Sequence, residues 1–406
     1  CCAARRPAVR TAIQKVAQTA SAALLAAVLM AASPILIFQA VQPMSDVPAT
    51  AAWASAFALA LRQRFVASGV AAGAALLIRP NLAPLGLALS SLTLFTVDRG
   101  VVRRSAHPVR HLVALGVSTC ALLLILLWYQ SAWYGSPLSS GYGRVADFFD
   151  LANTSSNARD YAARLLRGEP VIVALSCVAL AFGYRRGDQG PAAVRSAPSW
   201  LVALPACAAI LLCYLPYGVF PDWSYLRFLM PVFPLLFTAV AAGATTAVSR
   251  LPSWSRGATL VLIVTAAATV DARIAGREQA FALAGFESRY RVAGRYLEAS
   301  LPADRVIVTT QHSASVRYYA GLTTVRWDLL EEDLDAAVAR LAALGRHPML
   351  LVEDWERPSL QARFPRSRLA RLDWPARADL GTTTRVLLLD PQDAGHRWTR
   401  PPDRLW

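Results

Sequence analysis

The chain has 406 residues, of which 55% are hydrophobic and 17% charged, and its formal net charge is +15. Soluble domains carry about a quarter charged residues, so this composition excludes an ordinary soluble globular protein. The basic surplus lies in residues 1–270, with 21 Lys and Arg against eight Asp and Glu, while residues 271–406 hold 20 against 18, a distribution that indicates membrane topology rather than nucleic-acid binding.

Apolar stretches with the composition of membrane helices recur through the first part of the chain. We predict nine of them, at roughly 17–41, 47–61, 65–79, 81–97, 112–130, 170–184, 198–218, 228–248 and 258–271. Treating 65–97 as one crossing would move Arg103 and Arg104 to the outside, so the positive-inside rule favours two crossings there. The sequence therefore predicts an all-helical, multi-span membrane domain over residues 1–271.

The same rule predicts the orientation of these spans. The segment before the first span is basic and is taken as cytoplasmic. With nine crossings, the turns at Asp46 and Arg79, the loop 131–169, Arg227 and the domain 272–406 all lie on the extracytoplasmic side.

Residues 272–406 have the pattern of a small α/β domain. Short buried-strand patterns alternate with amphipathic helical ones, which favours a mixed or parallel sheet with covering helices. The predicted helices are 277–300 and 331–345, and the predicted strands are 305–310, 349–354 and 385–390.

Three charged residues at span ends are candidate functional residues. Asp46 is the first acidic residue of the chain; a carboxylate at a membrane helix end indicates a functional site, although Ser45 or Asp46 also fits a helix cap. Arg79 is interpreted as either a membrane-interface anchor or a phosphate ligand. Arg227 likewise has two interpretations: it forms a local ion pair with Asp222, or it makes a second phosphate contact.

An aromatic and glycine-rich stretch opens the long loop 131–169. Trp133, Tyr134, Ser136 and Tyr142 lie in it. The stretch fits an interfacial aromatic belt, and it also fits a loop shaped to bind substrate.

Residues TTQHSASVRYYAG, 309–321, follow the first predicted strand of the α/β domain. His312 and Tyr318 are candidate ligand contacts there, although a lone histidine is more often structural. None of the six cysteines has metal-ligand spacing.

Five segments in this order resemble the polytopic GT-C fold glycosyltransferases, the superfamily of bacterial protein O-mannosyltransferases and aminoarabinose transferases. The resemblance covers nearly the whole chain, and each segment is weak alone. The segments are SDVPATAAWASAFALAL, GVAAGAALLIRPNLAPL, WYGSPLSSGYG, SYLRFLMPVFP and QHSASVRYYAGLTTVRWD.

This resemblance implies transfer of a sugar from a polyprenyl-phosphate donor to a glycan, lipid or protein acceptor at the outer face of a bacterial inner membrane. Members often use a divalent cation, Mg²⁺ or Mn²⁺. Asp46 matches the acid of the family's second extracytoplasmic turn, near the metal or the phosphate. The family's catalytic base lies in an earlier loop without a counterpart here, so we expect two spans and that loop to be missing and this chain to be inactive by itself.

Two other classes of function fit the composition. A transporter or flippase of lipid-linked sugars is expected to show mid-span charges and broken helices in matching halves, which the sequence does not display. A membrane anchor for an extracytoplasmic binding domain needs fewer spans than nine.

Overall fold

The computed structural model divides the chain into two compact units, Cys1–Ala280 and Phe281–Trp406. The first is helical, and the second contains a small mixed sheet with helices. The structure describes residues 19–42, 44–98, 101–140, 143–144, 148–184, 193–220, 222–381, 384–395 and 403–404.

Helices in the first unit occupy every apolar stretch predicted from the sequence. Their described bounds are α1 Thr19–Ala32, α2 Pro34–Ala40, α3 Asp46–Leu61, α4 Phe65–Ile78, α5 Leu85–Ser91, α6 Pro108–Tyr134, α7 Thr154–Gly168, α8 Pro170–Tyr184, α9 Ala193–Tyr214, α10 Phe233–Val248 and α11 Ser253–Arg277. A 3₁₀ helix, Trp223–Val232, leads directly into α10.

Three of these helices are long and apolar enough to cross a membrane: α6, the continuous stretch Trp223–Val248, and α11. A fourth is added if α1 and α2, which are bent by 67° at Ser33, count as one span. Pro34 explains the bend, because proline cannot continue the hydrogen-bond ladder of α1. Within the described residues, length and composition thus support three or four crossings, and nine crossings stay a prediction.

The predicted span 81–97 departs from a plain helix. Here α5 covers seven residues and passes through a 3₁₀ turn, Leu92–Leu94, into strand β1, Phe95–Asp98. β1 pairs antiparallel with β2, Val101–Arg104, with Phe95 opposite Arg104. The β-branched and aromatic residues of FTV (95–97) and VV (101–102) favour strands. The sequence pattern instead predicts a helix for FTV, because it continues an apolar run, and a loop for VV.

Glycine allows α4 and α6 to approach each other closely. Gly69 and Gly73 lie one turn apart on α4, and a Cβ atom at Gly73 would lie 2.7 Å from the Cβ of Leu122 on α6. A Cβ at Gly69 would collide with Ser118, which also lies on α6. This is the Gly-x-x-x-Gly arrangement that packs membrane helices backbone to backbone, and Thr119 Oγ1 completes it by donating to the Gly69 carbonyl at 3.1 Å.

The second unit contains a six-stranded sheet in the order β10-β8-β9-β7-β5-β6. β5, β6 and β7 are parallel, whereas β9 runs antiparallel to β7 and β8, so the sheet is mixed. The strands are β5 Arg305–Val308, β6 Thr323–Val325, β7 His347–Glu353, β8 Ala378–Asp379, β9 Val386–Leu389 and β10 Asp403–Arg404; β3 Ser139–Ser140 and β4 Gly143–Arg144 form a separate pair in the first unit.

Four helices accompany this sheet: α12 Leu283–Ser300, α13 Ser313–Ala320, α14 Leu334–Ala343 and α15 Arg357–Arg363. The sequence predicts the helices α12 and α14 and the strands β5, β7 and β9 to within a few residues. It does not predict α13, α15, β6, β8 and β10, since elements of two to eight residues are too short for periodicity to mark them.

Gly69→Leu is expected to lower the thermal stability of the helical unit, because the added side chain has to push α4 away from α6. We expect a loss of about 1–3 kcal/mol, seen as a lower melting temperature of the detergent-solubilised chain. Gly116→Leu on α6 is the matched control, since a Cβ at Gly116 meets nothing within 4 Å. Equal melting temperatures for the two variants would contradict the close packing of α4 on α6.

Candidate functional site

Asp46 and Arg79 form a buried ion pair that joins two helix ends. Asp46 is the first residue of α3, and Arg79 is the residue that ends α4. Both positions favour these charges, because an N-terminus stabilises an anion and a C-terminus stabilises a cation. Ser45 occupies the N-cap position of α3, but its side chain makes no capping hydrogen bond among the described residues. The carboxylate of Asp46 is paired with Arg79.

Phe228 on the 3₁₀ helix brings a second cation to this ion pair. The guanidinium carbon of Arg79 lies 5.3 Å from the centre of the Phe228 ring, and that of Arg227 lies 5.6 Å from it. Arg227 also lies 4.7 Å from the ring of Tyr225. The Nε atom of Arg227 is buried and has no hydrogen-bond partner among the described residues. The guanidinium groups of Arg79 and Arg227 thus both lie near the Phe228 ring, and Arg79 is also paired with Asp46.

Tyr214 on α9 supports both Phe228 and the turn that carries Arg79. Its ring stacks on Phe228 with 4.6 Å between centres and a 3° angle between planes. Its hydroxyl accepts a hydrogen bond from Asn81 Nδ2 at 2.8 Å, and Cys213 Sγ donates to the Asn81 carbonyl at 3.1 Å. These contacts hold the turn after Arg79 against the aromatic cluster.

Several buried polar atoms on the neighbouring helices have no hydrogen-bond partner among the described residues. Thr50 and Trp53 follow Asp46 by one and two turns of α3, and Thr50 Oγ1 and Trp53 Nε1 have no partner in the described part of the chain. Gln39 on α2 is fully buried, and no described residue bonds either of its amide atoms. Both helices pack on the 3₁₀ helix Trp223–Val232. Buried polar groups are normally hydrogen-bonded, so these atoms are candidates to bind a polar partner.

Asp222 does not pair with Arg227 within the described residues. Its Oδ1 instead accepts from the backbone N–H of Ser224 at 2.7 Å and caps the 3₁₀ helix. The local ion pair considered for Arg227 is therefore not formed, and the guanidinium stays available to another anion.

The aromatic residues predicted to bind substrate lie at the exposed end of α6. Trp133 is 70% exposed and stacks on Tyr129 with 5.5 Å between ring centres. Tyr134 is also exposed, Ser136 lies in the turn that follows, and Tyr142 lies outside the described residues. No ring contact or hydrogen bond among the described residues joins this group to Arg79. The placement fits the aromatic-belt interpretation, and a substrate role for these residues stays a prediction.

His312 and Tyr318 have opposite environments. His312 is fully buried, and its Nε2 lies 2.9 Å from Glu353 Oε1, to which it donates, since a carboxylate only accepts. Tyr318 is 81% exposed on α13. The two predicted contacts therefore do not face a common site, and a ligand role for either stays a prediction.

Glu353 is the centre of a buried network that the sequence analysis did not find. Its Oε1 also accepts from Arg289 Nε at 2.9 Å, and its Oε2 accepts from Trp355 Nε1 at 2.5 Å. Burial by itself raises the pKa of Glu353, but the hydrogen bonds from His312 and Trp355 and the charge of Arg289 together hold the pKa below its usual value. The network joins α12, the loop after β5 and the end of β7.

Glu169 is a second acid that the sequence analysis did not single out. It is buried at the start of α8, and its Oε1 accepts from Ser33 Oγ at 2.7 Å and from the Ile35 backbone N–H at 3.0 Å. It therefore stabilises the break between α1 and α2. Pro34 was the available signal for the break, whereas nothing local in the sequence connects Glu169 to residue 33.

The predicted divalent cation needs several oxygen ligands. The carboxylate of Asp46 is engaged with Arg79, and no group of three potential metal-ligating residues occurs in the part of the chain that the structure describes. These residues alone do not complete a metal site around Asp46, so no reaction step below passes through a metal.

Comparison of the chain with family models, with curated proteins and with solved structures gives no match. The assignment of a function therefore depends on the residues and their geometry.

Glu353→Gln is expected to lower the stability of the second unit at neutral pH. It should also reduce the further loss of that stability as the pH falls. A carboxyl whose pKa is depressed on folding contributes stability above its unfolded pKa, about 4.3, and that contribution is lost as the pH falls through the folded value. Amide hydrogen exchange in β5 and β7 of the full chain, followed from pH 7 to pH 3, measures the effect. Glu298→Gln, at an exposed position on α12, is the control. Identical exchange profiles for both variants would contradict the role of Glu353.

Proposed function

We propose that the protein transfers a sugar from a polyprenyl-phosphate donor to an acceptor at the extracytoplasmic face of a bacterial inner membrane. The observation that carries this proposal is the convergence of Arg79 and Arg227 on the Phe228 ring, with Asp46 paired to one of them. Asp46 and Arg79 lie at helix ends of the apolar unit, and Arg227 lies within the 3₁₀ helix Trp223–Val232. In this proposal the three residues face the headgroup of a membrane lipid.

Two guanidinium groups suit the phosphate of such a donor. Cleavage of the bond between sugar and phosphate leaves negative charge on the phosphate, and fixed cations at that position stabilise the transition state. Guanidinium groups also bind phosphate through paired hydrogen bonds. The Nε atom of Arg227, which has no hydrogen-bond partner in the described part of the chain, is suited to this contact, while the Phe228 and Tyr225 rings keep its guanidinium in place.

Asp46 acts in this proposal as a positioning residue. It fixes the Arg79 guanidinium through a buried ion pair and reduces the repulsion between the two arginines before the donor binds. Removing one partner of a buried pair leaves an uncompensated charge, so the site depends on both residues. The buried amide of Gln39 and hydroxyl of Thr50 are suited to the hydroxyl groups of a sugar.

The acceptor hydroxyl has to lose a proton as the new bond forms, which requires a general base. The resemblance assigns that base to a loop without a counterpart in this sequence, and the proposal gives the role to no residue here. Partners in the proposal are the lipid-linked sugar, membrane lipid and a glycan, lipid or protein acceptor.

One observation favours a transporter or flippase as the second candidate. The 67° break between α1 and α2, with the buried carboxylate of Glu169 bonded across it, has the form of a discontinuous transport helix. The bonds of Glu169 are, however, accounted for by the start of α2, whereas the Nε atom of Arg227 has no hydrogen-bond partner among the described residues. We therefore rank transfer first.

Arg79→Ala and Arg227→Ala are each expected to weaken binding of undecaprenyl phosphate by about 10-fold or more, since each removes a charge-assisted contact. The measurement is lipid binding to the full chain in nanodiscs, which does not require the catalytic base. Arg256→Ala, at an exposed position at the start of α11, is the matched control and should bind as the wild type does.

Transfer itself is measured on the product of the complete gene. Asp46→Asn should lower the transfer rate and leave a folded protein. Unchanged binding in both arginine variants would contradict the proposal. It would also be contradicted, in favour of the transporter, if the protein moved a lipid-linked sugar across liposomes without transferring it to an acceptor and if Glu169→Gln abolished that movement.

A further inference from the structure

The turn that follows β7 holds an exposed tryptophan in a fixed orientation. Trp355 lies in the 3₁₀ turn Asp354–Glu356 and is 56% exposed. Its indole Nε1 donates a hydrogen bond at 2.5 Å to Oε2 of Glu353, which is fully buried. A ring left in water contributes little of the stability that burial of an aromatic side chain gives. The indole is therefore a rigid aromatic surface that is open to solvent.

This tryptophan lies at the carboxyl edge of three parallel strands. β7 and β6 are both parallel to β5, so the loops after all three strands meet at one edge of the sheet. Hydrogen bonds join these loops. The Gln311 backbone N–H, after β5, donates to Glu356 Oε1 at 3.2 Å, and Thr310 Oγ1 donates to Asp328 Oδ1, after β6, at 2.7 Å. Ligands of open α/β sheets bind outside this edge, so Trp355 lies where a binding site is expected.

Polar groups of opposite character adjoin the tryptophan in the chain. Asp354 precedes it, and the Oδ1 atom of Asp354 accepts no hydrogen bond from a described residue. Arg357 follows two residues later, with 3.7 Å between its guanidinium and that Oδ1 atom, which is too long for a hydrogen bond. Both side chains are partly exposed. The turn therefore combines an apolar ring with a hydrogen-bond acceptor and a hydrogen-bond donor.

We propose that this edge binds a carbohydrate, with a sugar ring stacked on the indole of Trp355 and its hydroxyl groups at Asp354 and Arg357. A sugar ring has an apolar C–H face bordered by hydroxyl groups that donate and accept hydrogen bonds. An indole with a carboxylate and a guanidinium beside it complements both parts. Because the indole is already fixed by Glu353, the contact costs little conformational entropy.

The binding itself does not depend on the proposed transfer reaction. If that reaction is correct, the bound carbohydrate is its acceptor, and this assignment alone rests on the proposed function.

Two other kinds of ligand fit this turn less well. A peptide that binds by strand addition needs an unpaired strand edge, whereas β7 is paired with β5 on one side and with β9 on the other. An anionic ligand needs an excess of positive charge, whereas Arg357 lies beside Asp354 and Arg289 is paired with Glu353. A neutral polar ligand is therefore favoured.

Binding of soluble oligosaccharides to the full chain in nanodiscs tests the inference. The probes are an array of mannose, glucose, galactose, arabinose, rhamnose and N-acetylglucosamine oligomers, and the wild type should bind at least one of these classes. Trp355→Ala should weaken that binding by about 10-fold or more, because it removes the stacking surface. Phe281→Ala is the matched control, since it removes an aromatic ring of the same unit that is 69% exposed, and it should bind as the wild type does.

Asp354→Ala is a second variant, and it leaves the indole and its bond to Glu353 in place. It should weaken binding of the same oligosaccharide by about five-fold, because it removes a charge-assisted hydrogen bond to a hydroxyl group. Circular dichroism and the melting temperature show whether each variant is folded.

Equal binding by the wild type, Trp355→Ala and Asp354→Ala overturns the inference, and so does a wild type that binds no oligosaccharide of the array. A third contrary result is slower amide hydrogen exchange around Trp355 in nanodiscs than in detergent, with no change when oligosaccharide is added. The exposed ring is then an anchor at the membrane interface.

Undecaprenyl phosphate binding is measured on the same samples and should be unchanged in Trp355→Ala. Loss of the inference therefore leaves the proposed donor site untouched, and loss of the donor site leaves carbohydrate binding untouched.

Discussion

The ion pair between Asp46 and Arg79 is the constraint on which the candidate site depends. Burying two charges costs more free energy than their attraction returns unless geometry and surroundings favour them. Here the N-terminus of α3 faces the carboxylate, the C-terminus of α4 faces the guanidinium, and the Phe228 ring lies against the cation. The packing of α4 on α6 through Gly69 and the support of the turn by Tyr214 keep these helix ends in place.

Much of the architecture is predictable from composition and periodicity. Apolar runs mark the helices of the first unit, and alternation of short buried strands with amphipathic helices marks the mixed sheet of the second. The sequence also places Asp46, Arg79 and Arg227 at the ends of apolar segments, because charged residues within such segments are expensive to bury. Their functional role nevertheless stays a proposal, since the structure shows proximity and not chemistry.

Other features depend on contacts between residues far apart in the chain, which local patterns do not report. Glu169 is bonded to Ser33, 136 residues away, and Glu353 is bonded to Arg289, 64 residues away. Phe228 lies in the segment SYLRFLMPVFP, where its neighbour Arg227 is the one charged residue. The sequence therefore marks Arg227 as a candidate, but it does not indicate that the Phe228 ring contacts two cations. The opposite error occurs at His312. The sequence marks this histidine as a candidate ligand contact, but in the structure its side chain is buried and bonded to Glu353.

A cryo-electron microscopy map of the chain in nanodiscs with undecaprenyl phosphate tests the proposed donor site most directly. Phosphate density is expected between the guanidinium groups of Arg79 and Arg227, beside the Phe228 ring, with Asp46 still paired to Arg79. Density for the phosphate at another position, with those two guanidinium groups unchanged and contacting only protein, would contradict it.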